Sequence, residues 1–208
     1  MKNTYERVGC LEPMLAPITD KLVFAARFLS SPQTVGSIVP SSRQLTERIL
    51  SPVDWERAAA VAELGAGTGV FTDAIRKAKR KDCQALILEQ DDTMRERLVR
   101  RYPDLLFSDD ARKLTQAMEE HGVGQLDAVI SGLPFANFPQ GLRDEILDQV
   151  EAALKPGGVF VQFQYSLQMK KKLEKRFGRV AIRFVPFNFP CAFVYVCQKR
   201  GDKSWKRI

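Results

Sequence analysis

Short apolar segments and amphipathic segments alternate along the chain after Pro52. Each apolar segment has the length of one strand, and each amphipathic segment carries its apolar residues at helical spacing. This alternation is typical of a parallel sheet with helices on both faces. The predicted strands are 59–64, 85–89, 105–108, 126–131 and 158–164, and the predicted helices are 69–79, 92–101, 111–120, 139–153 and 167–176.

The end of the chain departs from this alternation. Two further predicted strands, 180–185 and 192–197, are separated by only six residues. No crossover helix fits into that length, so the two strands must pair antiparallel. We therefore predict an α/β fold, with a Rossmann-like, seven-stranded, mostly parallel sheet that ends in an antiparallel hairpin.

The 208 residues suffice for one such domain with a short extension. We expect residues 1–52 to form an N-terminal arm with amphipathic helices, and residues 53–208 to form the main domain. In the arm, residues 18–29 have one apolar side, while Phe24 and Phe28 lie toward the charged side. The N terminus lacks the apolar run of a signal peptide, and no apolar window of about 18 residues could span a bilayer.

Positive charge is concentrated toward the C terminus. The net charge is +7, and residues 170–208 contain twelve Lys and Arg residues against two acidic ones. Such a basic region favours nucleic acid or an anionic membrane surface as a partner, or it forms a solvated face that only keeps the protein soluble. Four cysteines without a CxxC pair and one histidine give no metal-binding pattern, and they indicate reduced thiols and a cytoplasmic protein.

A glycine-rich turn follows the first strand of the predicted sheet. Gly65, Gly67 and Gly69 stand between this strand and the next helix. Glycines let the backbone approach a ligand closely, and the start of the helix offers free N–H groups. Glu89 ends the following strand, at the spacing of about 20 residues where an acid can bind both hydroxyls of a ribose. The sequence therefore predicts a nucleoside site.

The spacing of the glycines indicates which nucleoside-containing cofactor the site binds. A dinucleotide-binding turn reads G-x-G-x-x-G, whereas this turn reads G-x-G-x-G and has Val70 in the third place. It resembles motif I of class I S-adenosylmethionine-dependent methyltransferases, and Asp109-Asp110-Ala111 resembles their adenine-contacting turn. The resemblance implies S-adenosyl-L-methionine as the cofactor, with Glu63 facing the methionine ammonium. The implied cofactor-binding residues are Glu63, Gly65, Ala66, Gly67, Gly69, Glu89, Gln90, Asp110 (adenine amine), Ala111 (adenine ring) and Ser131.

A second motif, Ser131-Gly132-Leu133-Pro134-Phe135, follows the strand at 126–131 and is expected at the carboxyl edge of the sheet, beside the sulfonium. Its position matches the Asn-Leu-Pro-Tyr motif of rRNA adenine dimethyltransferases, whose Asn side chain binds the target amine. Gly132 stands at the Asn position and supplies no such acceptor. An rRNA adenine N-methyltransferase is therefore the alternative function, and a non-catalytic nucleoside-binding module is the third hypothesis.

The Ser-Gly-Leu-Pro segment instead resembles the bacterial phospholipid N-methyltransferases, which methylate phosphatidylethanolamine. Residues 28–32 with 35–42, residues 161–165 and residues 188–196 are similar to other blocks of that family. The resemblance implies methyl transfer to the amine of a phospholipid headgroup. It also implies a cytoplasmic protein held peripherally on the inner face of the cell membrane. From its amphipathic pattern we expect the segment 18–29 to lie at the bilayer surface, helped by the basic tail, or to pack on the sheet edge as a lid.

The acceptor site is expected to use residues near the ends of the last strands. We expect Tyr165 to hydrogen-bond the amine or the lipid phosphate, and the Ser131 backbone carbonyl to be a second group for the amine. Phe135 would wall the pocket, and Arg183 or Asn188 would bind the phosphate. The alternative to these substrate contacts is a purely structural role, with Tyr165 as a core tyrosine and Phe135 packed against the proline. No strong base is required, because an amine with a pKa of about 10 can lose its proton to water before attack.

Overall fold

The computed structural model describes residues 40–186, 188 and 190–201. The amphipathic segment at 18–29, the family-like residues at 28–39 and the basic residues beyond 201 lie outside the described residues. Of the predicted N-terminal arm, the structure describes helix α1 (Pro40–Leu50) and the two residues after it. Leu45, Ile49 and Leu50 of this helix are buried against the main sheet.

Seven strands form one sheet in the order β3-β2-β1-β4-β5-β7-β6. Strand β7 runs antiparallel to both of its neighbours, and the other pairs are parallel. This arrangement confirms the predicted Rossmann-like sheet with an antiparallel C-terminal hairpin. The strands are β1 (Ala60–Leu64), β2 (Gln84–Leu88), β3 (Leu106–Ser108), β4 (Leu126–Ser131), β5 (Leu154–Gln164), β6 (Arg179–Val185) and β7 (Ala192–Gln198).

The helices follow the predicted order, and some helices and strands begin at other residues than predicted. The predicted helix at 111–120 begins as a separate 3-10 turn, because the Asp110 carboxylate accepts the backbone N–H of Arg112 and caps that turn. Strand β5 begins at Leu154, earlier than predicted, directly after the preceding helix. The remaining helices are α2 (Val70–Ala78), α3 (Asp92–Arg101), α4 (Leu114–Glu120), α5 (Gln140–Ala153) and α6 (Lys170–Arg176), with 3-10 turns at Ala111–Lys113 and Phe135–Asn137.

The sheet separates two apolar clusters, one on each face. Successive residues of β5 alternate between them: Phe160 packs with α4, α5 and α6, whereas Val159 and Val161 pack with α1, α2 and α3. This alternation follows from the two-residue period of a strand. Because both faces are covered, the central strands are largely apolar, and buried polar residues such as Glu63, Gln162 and Gln164 lie near their carboxyl ends. Among the described residues, none of the helices has the length and apolar character needed to cross a membrane.

The strand order reverses at β1, which lies between β2 and β4. In a doubly wound sheet the loops diverge at such a point and leave a crevice at the carboxyl ends of the strands. The glycine turn follows β1 at this edge, and the Ser131–Phe135 turn follows β4 beside it. The topology thus brings together the two motifs that the sequence singled out.

Candidate active site

The three glycines of the first turn have the positive φ angles that side chains rarely adopt. Gly65 has φ 74°, Gly67 56° and Gly69 86°. A Cβ on Gly65 would lie 2.6 Å from the Leu133 Cδ2 atom, so this glycine also permits close packing of the two turns. At Gly67 a Cβ would meet no protein atom within 4 Å, so only the backbone conformation requires glycine there.

The Glu89 carboxylate lies directly against the glycine turn. Its Oε2 atom accepts the backbone N–H of Gly67 at 2.6 Å, and its Oε1 atom accepts that of Asp91 at 2.9 Å. The side chain is buried, so it fixes the turn relative to the end of β2. Each carboxylate oxygen has a further lone pair, which leaves capacity for hydroxyl donors. Gln90 is exposed immediately after it.

Glu63 is fully buried below the glycine turn. Its Oε2 atom accepts the Thr72 hydroxyl at 2.7 Å, and its Oε1 atom has no hydrogen-bond partner among the described residues. Burial raises the pKa of Glu63 to about 8; the Thr72 hydrogen bond opposes this shift, and the nearby Glu89 carboxylate adds to it. A buried carboxylate oxygen without a donor is costly. The position fits a cationic group such as the ammonium of S-adenosylmethionine.

The predicted adenine-contacting residues lie after β3, at the same edge of the sheet. Although burial favours the neutral acid, hydrogen bonds from Arg112 lower the pKa of Asp110. The Arg112 guanidinium pairs with this carboxylate at 2.6 Å. Ala111 is the first residue of the 3-10 turn that Asp110 caps. The turn therefore has a fixed shape, and Asp110 is ionised near neutral pH.

Gly132 occupies a position where a side chain does not fit. A Cβ there would lie 2.8 Å from the Gly65 carbonyl oxygen, and the Gly132 N–H donates to the Leu64 carbonyl at 2.9 Å. An asparagine at this position would require the two turns to separate. Close packing of the two turns therefore explains why a glycine stands at position 132, where an adenine-methylating site would have asparagine.

Ser131 and Phe135, at the two ends of the second turn, are both fully buried. The Ser131 hydroxyl accepts the Leu133 N–H at 3.1 Å, and its backbone pairs with Gln162 in the ladder between β4 and β5. The Phe135 ring lies 5.9 Å from that of Phe138 and 6.0 Å from that of Phe160. Sequence reasoning expected Phe135 to wall the pocket; the structure instead places it in the core, where the ring anchors the turn.

Tyr165 and Asn188, two of the predicted substrate residues, are brought into contact. Tyr165 follows β5 and is 40% exposed, with its ring edge-on to Phe163 at 5.7 Å. Partial burial raises the pKa of its hydroxyl, and a hydrogen bond with the Asn188 side chain opposes this. Asn188 is fixed in turn because its amide donates to the Pro190 carbonyl at 2.8 Å. Tyr165 is therefore a neutral hydroxyl that is partly accessible and held in place.

Arg183 has a different neighbour. Its guanidinium donates to the Ser51 hydroxyl at 2.9 Å and so joins strand β6 to the segment after α1. No sequence pattern indicated this pair, since the two residues are far apart along the chain. Its expected role as an anion ligand therefore competes with a structural contact.

Sequence reasoning gave no role to three buried polar side chains near the two turns, although two of them lie in the family-like block 161–165. They are Thr72, Gln162 and Gln164. The available signal was a polar residue at alternate positions near the end of the otherwise apolar strand β5. Such a pattern indicates side chains that share one face of the sheet.

The chain resembles solved methyltransferases over most of its length, although no family model matches it. The N-methyltransferase NodS from Bradyrhizobium japonicum WM9, solved with S-adenosyl-L-homocysteine, superposes with a TM-score of 0.70 at 11% identity, over 86% of this chain and 98% of that one. The 1,6-didemethyltoxoflavin-N1-methyltransferase of Burkholderia thailandensis, also solved with S-adenosylhomocysteine, gives 0.66 at 16% identity, over 92% and 93% of the two chains. At these identities the likeness concerns the fold.

The sheet topology and the glycine turn are those of the class I S-adenosylmethionine-dependent methyltransferase fold. Within that class, the chain is 34% identical over 190 residues to the ornithine lipid N-methyltransferase of Singulisphaera acidiphila. The match covers 89% of this chain and 98% of that protein. The chain belongs to the same family as this enzyme.

Proposed function

We propose that the enzyme transfers methyl groups from S-adenosylmethionine to the amine of an amino-lipid headgroup, with an ornithine lipid as the first candidate. The observation that carries this proposal is the 34% identity to an ornithine lipid N-methyltransferase over 98% of that protein. Phosphatidylethanolamine is the second candidate acceptor, because the Ser131–Phe135 turn and the segment around Tyr165 resemble the enzymes that methylate it.

The chemistry of such a transfer requires positioning rather than a strong base. S-adenosylmethionine supplies an electrophilic methyl group. The amine must present its lone pair in line with that group, and its proton can leave to water beforehand. The turn after β4 packs against the Gly65 carbonyl and so lies beside the cofactor turn. We assign to Tyr165 a hydrogen bond to the amine or to the anionic part of the headgroup, supported by its partial exposure and its contact with Asn188.

We also propose a set of cofactor contacts around the glycine turn and the turn after β3. We propose that Glu63 pairs with the ammonium of S-adenosylmethionine and that Glu89 binds the ribose hydroxyls. At the far end of the cofactor, Asp110 and Ala111 would contact adenine. The observation that supports the ammonium site is the Glu63 Oε1 atom, which has no hydrogen-bond partner in the part of the chain that the structure describes.

A basic cleft between α5 and α6 supports an anionic lipid surface as the partner. The cleft has a volume of about 380 Å³ and is lined by Gln140, Arg143, Gln168, Met169, Lys171, Lys172, Lys175 and Arg176. Asp144 forms ion pairs with Lys172 and Arg176. Within the described residues, Lys171 and Lys175 are exposed and have no such pair. We propose that these two lysines help to hold the protein peripherally on an anionic membrane.

The experiment that tests the proposed function is transfer of labelled methyl from S-adenosylmethionine. Three separate reactions are compared. The first contains phosphatidylglycerol vesicles with an ornithine lipid, the second contains phosphatidylglycerol vesicles with phosphatidylethanolamine, and the third contains unmodified rRNA. We expect label in the lipid extract of the first reaction at the highest rate. Label in the second reaction alone would reassign the headgroup, and label in the rRNA alone would overturn the proposal.

A further inference from the structure

Gln164, the last residue of β5, is buried at 4% exposure beneath the turn that follows β4. Its Oε1 atom accepts the Ala136 N–H at 3.3 Å, and its Nε2 atom donates to the Leu133 carbonyl at 3.0 Å. The two bonds fix which end of the amide is which, because a backbone N–H only donates and a carbonyl only accepts. One side chain therefore holds the turn on both sides of Pro134.

Gln162, two residues earlier on the same face of β5, supports this arrangement. It is fully buried, and its Oε1 atom accepts a second hydrogen bond from the Gln164 Nε2 atom at 3.3 Å. Its own Nε2 atom has no partner among the described residues. Two neighbouring glutamines on one face of an otherwise apolar strand are costly to bury. Their hydrogen bonds lead to the turn, so the turn is what this polar arrangement stabilises.

The turn that Gln164 holds is packed directly on the cofactor turn. Ser131 binds its first part, since the Ser131 hydroxyl accepts the Leu133 N–H, and the buried Phe135 ring anchors its last part. Gly132 and Leu133 lie against Gly65 so closely that neither Gly65 nor Gly132 could carry a Cβ without movement. A displacement of this turn would therefore change the distance between the cofactor and the groups that receive the acceptor.

We propose that Gln164 is a positioning residue for methyl transfer: its amide fixes the Ser131–Phe135 turn against the cofactor turn and so sets the approach of the acceptor amine. Gln164 acts through the turn and touches neither methyl donor nor acceptor. For its kinetic consequence the inference rests on the proposed function. Its structural part, the restraint of the Leu133–Ala136 segment, stands without a known acceptor.

The test compares Gln164→Leu with Gln149→Leu. Gln149 is a matched control because its Oε1 atom accepts two hydrogen bonds from Thr115, between α5 and α4, and makes none with the turn. For Gln164→Leu we expect kcat to fall about 10- to 100-fold, in line with the effect of a small misplacement of reacting groups. The Kd for S-adenosylmethionine should stay within about threefold. For Gln149→Leu we expect a lower melting temperature with an unchanged kcat.

Hydrogen–deuterium exchange of residues 132–138 provides a readout that needs no acceptor. In Gln164→Leu the Ala136 amide should exchange faster than in the wild-type protein, while the amides of β1 stay protected. Unchanged exchange at Ala136 would overturn the inference, and so would a wild-type kcat. A loss of cofactor affinity equal to the loss of kcat would also overturn it, because the role would then be merely structural. If wild-type protein methylates no lipid amine, the proposed function fails while the exchange result still decides whether Gln164 restrains the turn.

Discussion

Replacing Glu63 with glutamine is expected to stabilise the protein at high pH while weakening cofactor binding. Burial raises the pKa of Glu63 from 4.5 to about 8. The folded protein therefore holds a proton that the unfolded chain releases between these values, so the stability conferred by this proton is complete below pH 4.5 and is lost as the pH rises toward 8. Each pH unit in that window lowers the free energy of unfolding by about 1.4 kcal/mol.

The amide introduced by Glu63→Gln cannot ionise, so the variant lacks this pH dependence. Between about pH 5 and pH 8 the free energy of unfolding of Glu63→Gln should rise relative to wild type by about 4 kcal/mol. The altered hydrogen bonding with Thr72 shifts the difference by the same amount at every pH. Urea denaturation at several pH values measures it, with the exposed Glu56→Gln as the control. If the difference in free energy of unfolding between Glu63→Gln and wild type did not change with pH, Glu63 would not be a buried carboxyl that is protonated in the folded protein.

Rising pH should lower the stability of the wild-type protein but strengthen its binding of S-adenosylmethionine. Pairing with the ammonium requires the ionised carboxylate, so the affinity of wild-type protein for S-adenosylmethionine should increase as the pH rises toward 8. Loss of a charge-assisted hydrogen bond weakens binding by about 1.5–3 kcal/mol, which is about 10- to 100-fold. Isothermal titration at pH 8 measures this loss in Glu63→Gln. A variant with wild-type affinity would show that Glu63 does not face the ammonium.

Two further perturbations test the acceptor site and the membrane contact. Tyr165→Phe should lower kcat/KM for the lipid acceptor about tenfold and leave the Kd for S-adenosylmethionine unchanged, because one hydrogen bond to the acceptor is lost; equal activity would exclude that bond. Replacing Lys171 and Lys175 with Gln should weaken binding to phosphatidylglycerol vesicles about 30-fold, at about 1 kcal/mol per lysine, as measured by co-sedimentation. Replacing the exposed control pair, Lys81 and Arg97, with Gln should have little effect on this binding. Equal losses from both pairs would indicate a general charge effect.

The sequence was sufficient to predict the elements that depend on local pattern. The strand and helix alternation, the closing hairpin and the glycine turn follow from periodicity and from residues whose conformations are restricted. Contacts between distant segments were not predictable in this way. The Arg183–Ser51 hydrogen bond arises only when β6 lies beside the segment after α1, and Phe135 points inward only when the turn after β4 packs against β5. The hydrogen bonds of Gln164 are of the same kind, because they join strand β5 to the turn after β4.

The most direct test of the central claim locates the transferred methyl group on the acceptor. Purified protein is incubated with S-adenosylmethionine and vesicles that contain an ornithine lipid as the one methyl acceptor, and the product lipid is fragmented by mass spectrometry. We predict that the added methyl groups are on the terminal nitrogen of the headgroup. A methyl group on a carboxyl oxygen, or no methylated lipid although the protein binds the cofactor, would contradict it.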